Sequence, residues 1–253
     1  MPPADWTQWF RAEYHGAPFV TFGGRHLASL FILALFGAYM LRHRGADEAT
    51  RRRGRLTLAA MLVVNEFSWH AWAAYYGQWT IDKMLPLHLC TVLVWIGAYG
   101  LVTLDATIYE FLYFMGIGGP LQGVLTPDAG AYGLPHFRAV QTLLSHGVLI
   151  VAALYLTVVE GMRPTWRSVR RVIGGTLIYM AVVTGINATI GTNYMWTMGK
   201  PPVVSLLDAL GPWPWYLLPM IGLGVINVLL LYLPFWWADR RRMRAGTPRR
   251  AAP

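Results

Sequence analysis

Long apolar stretches alternate with short polar connections along this chain. Seven of the stretches are long enough to cross about 30 Å of hydrocarbon as helices rising about 1.5 Å per residue. They lie near residues 24–41, 56–77, 85–104, 107–125, 139–159, 172–191 and 214–236, and Gly116, Gly118, Gly119 and Pro120 interrupt the fourth. Ahead of them, Trp6, Trp9, Phe10 and Tyr14 recur at helical spacing among polar residues over 3–15. That pattern predicts a short helix lying in the membrane interface, where rings with an apolar body and a polar tip are favoured. The expected fold class is therefore all-α, a polytopic membrane bundle of seven transmembrane helices. It reads as one membrane domain over 1–253, with an interfacial segment at 1–22, a core at 24–236 and a basic tail at 237–253.

Composition agrees with that pattern. Of 253 residues, 55% are hydrophobic and 13% charged, with 12 Trp and 13 Tyr, which is outside the usual range of a soluble domain. The net charge of +9 invites a nucleic-acid partner until the basic residues are placed. Sixteen of the 21 Lys and Arg fall on one side of the expected bundle, in the connections around 42–55 and 163–171 and after 240; Arg11, Arg25, Lys83, Arg138 and Lys200 fall on the other. The positive-inside rule then puts the N-terminus outside and the C-terminus in the cytoplasm of a multi-pass cell-membrane protein. The charge is explained by topology and membrane lipids are the partners expected, so no nucleic acid is invoked. The opening Met1-Pro-Pro-Ala-Asp has no basic leader of the signal-peptide type.

Candidate chemistry comes from polar residues inside the apolar stretches. Cys90 is the only cysteine, which excludes an internal disulfide. Counting about 1.5 Å per residue puts Cys90, His146 and His70 roughly 8–10 Å beneath the outer surface, with Gln122 and Asn187 at a similar level. Glu66 lies one turn from His70, deeper and on the same face, so the two form an acid–imidazole pair. His88 and Cys90 are two residues apart, about 200° around a regular helix, and should point to opposite sides. A histidine from another span at the same height, His146, is the better base, with Thr142 and Gln141 placed to orient it. Apolar surroundings also suit an inert packing thiol, so the cysteine has a structural reading beside the chemical one. In the outer connections, Arg138 puts a cation at the headgroup level, and Asn193 and Asp208 lie within a Pro- and Trp-rich segment that predicts a stiff cap.

The motifs Leu85-Pro-Leu-His-Leu-Cys90, Phe137-Arg138 followed by His146-Gly147, Asn193-Tyr194-Met195, Lys200-Pro201, and Leu207-Asp208 with Gly211-Pro-Trp-Pro-Trp-Tyr216 together resemble the YwaF-type integral membrane proteins. Those are similar to the eukaryotic transmembrane protein 164 acyltransferases, which remodel ether phospholipids. The motifs span about residues 66–216. The resemblance implies a membrane acyltransferase that carries the acyl group on a cysteine, with Cys90 as nucleophile and His146 as its base.

The expected function is a lipid acyltransferase acting on phospholipid-type acyl esters in the outer half of the membrane. Asn193, Gln141 or His70 would donate to the oxyanion, with Glu66, His88, Gln122, Arg138, Asn187, Tyr194 and Asp208 in binding or supporting roles. No cofactor is required. One alternative is a zinc-dependent lipid hydrolase using His70, His88, His146 and Glu66 as ligands, although no compact metal motif is present. Another is a non-catalytic transporter or receptor built on a helix broken at Gly118-Gly119-Pro120.

Overall fold

Four of the long helices begin behind a side chain, that of Asp47, Asp105, His136 or Thr165, which accepts a first-turn N–H group. The computed structural model describes residues 6–127, 129, 131–201 and 206–244. α1 spans Gly24–Leu41. α2, Glu48–Tyr75, is capped by Asp47, which accepts from Thr50 N at 2.7 Å; it starts well before the apolar stretch and carries four arginines in its first turns. A single turn, α3 (Ile81–Met84), precedes α4 (Leu89–Thr103). α5, Ala106–Leu125, is capped by Asp105. α6 spans Phe137–Val158 behind His136, and α7 spans Trp166–Ile190 behind a Thr165/Ser168 capping box. α8 runs over Leu217–Arg244. The described residues contain no strand.

Among the described residues, four helices are long and apolar enough to cross a membrane: Gly24–Leu41, Phe137–Val158, Trp166–Ile190 and the part of α8 up to Arg241. The chain is a membrane protein by that criterion. α4 is apolar but has only 15 residues, about 22 Å of helix.

Several boundaries differ from expectation. α4 starts at Leu89, because Pro86 pushes Leu85 into an extended conformation and His88 is extended as well. α5 is continuous through Gly118, Gly119 and Pro120, so the broken helix expected of a transporter is absent there. Residues 237–244, read as tail, continue α8; Arg249 and Arg250 lie outside the described residues. Among the described residues, the interfacial segment holds only a five-residue 3-10 turn, Trp6–Phe10; residues 1–5 lie outside the described part. Its carbonyls are taken by the bundle: Trp72 Nε1 donates to Phe10 O at 2.6 Å, His136 Nε2 to Arg11 O at 3.0 Å and Tyr132 Oη to Ala12 O at 2.9 Å. A helix continuing past Phe10 would need those same acceptors.

The chain runs up and down, with α5 and α6 making the most extensive helix pair at the centre. Leu112, Phe114, Leu149 and Leu156 are fully buried there. At one end, Arg55 donates to Glu160 at 2.6 Å and Glu48 at 2.9 Å, Arg171 to Glu110 at 2.7 Å, and Arg163 to Asp239 at 2.7 Å. The opposite end is closed by the connections around 76–88, 131–136, 191–201 and 206–216, and the site lies beneath them.

Candidate functional site

Cys90 is the second residue of α4. The extended segment before it is tied down by side chains from elsewhere in the chain: Leu85 N donates to Tyr194 Oη at 3.0 Å, Tyr179 Oη donates to Leu87 O at 3.0 Å, and Met195 N donates to His88 Nδ1 at 3.3 Å. Because His88 precedes the helix, the 200° separation expected between it and Cys90 does not apply, and both side chains face the same cavities. His88 is held between Tyr194 and Trp196, with ring centroids 5.1 and 5.2 Å away. Accepting at Nδ1 leaves the proton of the neutral ring on Nε2. His88 gives α4 no side-chain cap, so the first-turn N–H groups are left open beside Cys90.

α5 brings the thiol and His146 onto one stripe. A Cβ added at Gly119 would stand 3.7 Å from Cys90 Sγ, and one at Gly123 would overlap the His146 ring. Positions four apart share a helix face, separated by about 6 Å along the axis. Thr142 does orient His146, but through its carbonyl, which accepts from Nδ1 at 2.8 Å. That contact puts the proton on Nδ1 and leaves Nε2 as the basic nitrogen, on the ring edge facing α5. Among the described residues, no side chain is hydrogen-bonded to the Cys90 sulfur.

Two cavities meet at this point. A polar one of about 400 Å³ is lined by Cys90, His146, Glu66, Gln122, Arg138 and Gln141, and also by Trp69 and Trp196. The Arg138 guanidinium lies 3.2 Å from the centre of the Trp69 ring and donates to Gln141 Oε1. The second cavity, about 320 Å³, is apolar. One wall is the α7 stripe Ile173, Thr176, Leu177 and Met180, and the facing wall is the α8 stripe Ile221, Gly224, Val225 and Val228. Only His88, Cys90 and Trp196 line both cavities.

Other expected site residues are placed elsewhere. His70 lies behind Glu66, 3.4 Å from its carboxylate, and accepts from Trp79 Nε1 at 3.0 Å; it lines neither cavity. Asn187 is fully engaged in shaping the cap. Its Nδ2 donates to Tyr194 O and Thr197 Oγ1, and its Oδ1 accepts from Thr192 Oγ1 and Tyr194 N. Asn193 closes its own loop through Gly199 O and Met198 N, Tyr194 Oη donates to Ile81 O, and Asp208 faces Lys200 at 3.8 Å. These three line neither cavity. Among the described residues, no group of three or more His, Cys, Asp or Glu side chains is placed to hold a metal ion; of the four ligands expected for zinc, His70 does not line the cavity that His88, His146 and Glu66 line.

The sequence reading took Gly119 for part of a helix break and gave Gly123, Trp69 and Trp196 no place in the site. The spacing Gly119-Pro-Leu-Gln-Gly123 is a small-xxx-small signal for close approach and was available; nothing in the sequence distinguishes Trp69 and Trp196 from belt aromatics. Met195 and Trp196 both adopt left-handed backbone, φ 56° and 55°, a conformation costly for non-glycine residues that recurs at functional sites.

The family described as the TMEM164 family matches residues 21–232, and the chain belongs to it. No curated protein and no solved structure matches the chain.

Proposed function

We propose, with membership of that family as the premise, that this protein is a multi-pass lipid acyltransferase of the cell membrane acting through an acyl group carried on Cys90. Its seven long helices are read as seven spans, with the N-terminus outside and the C-terminus cytoplasmic. In the first half-reaction the Cys90 thiol passes its proton to His146 Nε2, and the sulfur attacks the ester carbonyl carbon of a phospholipid-type donor. The S–C bond forms, the ester C–O bond breaks, and the leaving alkoxide takes the proton back from the imidazolium. In the second half-reaction a lipid hydroxyl gives its proton to His146 and its oxygen attacks the thioester carbonyl; the C–O bond forms, the C–S bond breaks, and the departing thiolate takes the proton back from the imidazolium. The two groups are not hydrogen-bonded at rest, so the first transfer runs through a bridging water or after substrate draws them together.

The oxyanion of each tetrahedral intermediate is received by His88 Nε2–H and the open N–H groups at the start of α4, whose positive dipole end faces it. These donors replace the expected Asn193 and His70, which are engaged elsewhere. Gln141 remains in the cavity wall, with Glu66, Gln122 and Arg138 as supporting groups.

The observation that carries this reading is the convergence of Cys90 and His146 on the Gly119–Gly123 face of α5 beside a polar cavity. Incubating purified protein with a phospholipid bearing an isotope-labelled acyl chain and weighing the Cys90 peptide tests it. A labelled thioester on the wild type that is absent from a folded Cys90→Ala variant is expected; acyl labelling that persists in Cys90→Ala overturns it.

A further inference from the structure

We infer that the apolar cavity between α7 and α8 is the site that holds the fatty acyl chain while Cys90 carries it, and that its depth sets the chain length accepted; this rests on the acyl-enzyme reading above. Cys90 sits at the junction of an apolar cavity and one lined by several polar side chains. An ester lying across that junction is sorted by chemistry, its alcohol part toward Arg138 and Gln141 and its hydrocarbon part into the apolar wall. Burial of methylenes drives the second placement.

Three observations fit a chain rather than a compact solute. The cavity is walled by two facing helical stripes, so it is elongated along the bundle. Met115, Met180, Met195 and Met220 contribute to its lining, and unbranched thioether side chains adapt to a flexible occupant. Its rim residues Leu177 and Gly224 are exposed, on helices whose outer faces carry exposed Ile178, Val182, Ile226 and Leu230, so the opening faces hydrocarbon.

Gly224 offers the direct test, since it lines the cavity at its rim and a side chain built there meets nothing within 4 Å. In the full-length protein, Cys90 acylation by a palmitoyl and by a butanoyl phospholipid is compared by mass spectrometry for wild type, Gly224→Phe and Met180→Trp, which narrows the opposite wall. Gly222→Phe serves as control, because Gly222 also has open space around it but does not line the cavity. The expected result is a palmitoyl-to-butanoyl ratio reduced by about tenfold in both cavity variants and unchanged in the control. An unchanged ratio in Gly224→Phe and Met180→Trp overturns the chain site while leaving the acyl-enzyme intact. Absence of any adduct on wild-type Cys90 instead overturns the acyl-enzyme reading on which it rests.

Discussion

At the scale of single residues, the site depends on two glycines with unequal tolerance. A methyl group at Gly119 would make ordinary contact with the Cys90 sulfur, whereas one at Gly123 would occupy the space of the His146 imidazole. Gly123→Ala is therefore expected to turn the ring away and slow Cys90 acylation by about 100-fold, the scale of loss that misplacing a catalytic group by about 1 Å produces. Gly119→Ala stays near the wild-type rate, and the initial rate of thioester formation compares the two. Cys90 and His146 could be singled out from the sequence because a thiol and an imidazole are costly among hydrocarbon side chains. Which face each presents could not, because it depends on where α4 starts and on which ring nitrogen Thr142 engages.

At the scale of elements, the extended entry to α4 and the cap above it form one unit. Tyr194, Tyr179 and Met195 hold residues 85–88, and Asn187 holds Tyr194. Replacing Asn187 with Leu leaves Tyr194 N and O, Thr192 and Thr197 without their partner, at about 1–3 kcal/mol for each buried group that finds no other. A lowered melting temperature in detergent is expected, larger than that of Asn193→Ala, whose two bonds lie in a less buried loop. The positions of the seven long helices were readable from the apolar stretches, since burial or lipid exposure requires that pattern. Their ends were less so. Apolarity begins at residue 56 in α2, but Asp47 and the Arg55–Glu48–Glu160 contacts let the helix start at Glu48. In α4 the apolar stretch includes residues that Pro86 keeps out of the helix. Polar Asn187 signalled a buried need for hydrogen bonds, yet only the folded loop reveals that its own backbone neighbours meet that need.

At the scale of the whole molecule, ion pairs fasten the arginine-rich end while aromatic and histidine contacts fasten the other. There the N-terminal arm is docked by His136, whose ring accepts from Arg138 N at 3.1 Å and donates to Arg11 O at 3.0 Å, between Tyr14 and Tyr132. Burial, with the Arg138 charge adding to it, pushes the His136 pKa below its ordinary 6.5. The undocked ring thus binds protons more readily than the docked one, so docking is complete above that value and weakens as pH falls through and below it. Hydrogen exchange of residues 6–23 is expected to speed up between pH 7 and pH 5 relative to the α5–α6 core, and this acceleration should vanish in His136→Gln.

The meeting of two cavities at one sulfur has a kinetic consequence. Under the proposed acyl-enzyme mechanism, the departing alcohol and the incoming acceptor would have to use the same chamber in turn, while the hydrocarbon tail stayed parked on the membrane side. Donor and acceptor would then compete for a single vestibule, and an excess of either one is expected to slow the turnover measured with the other.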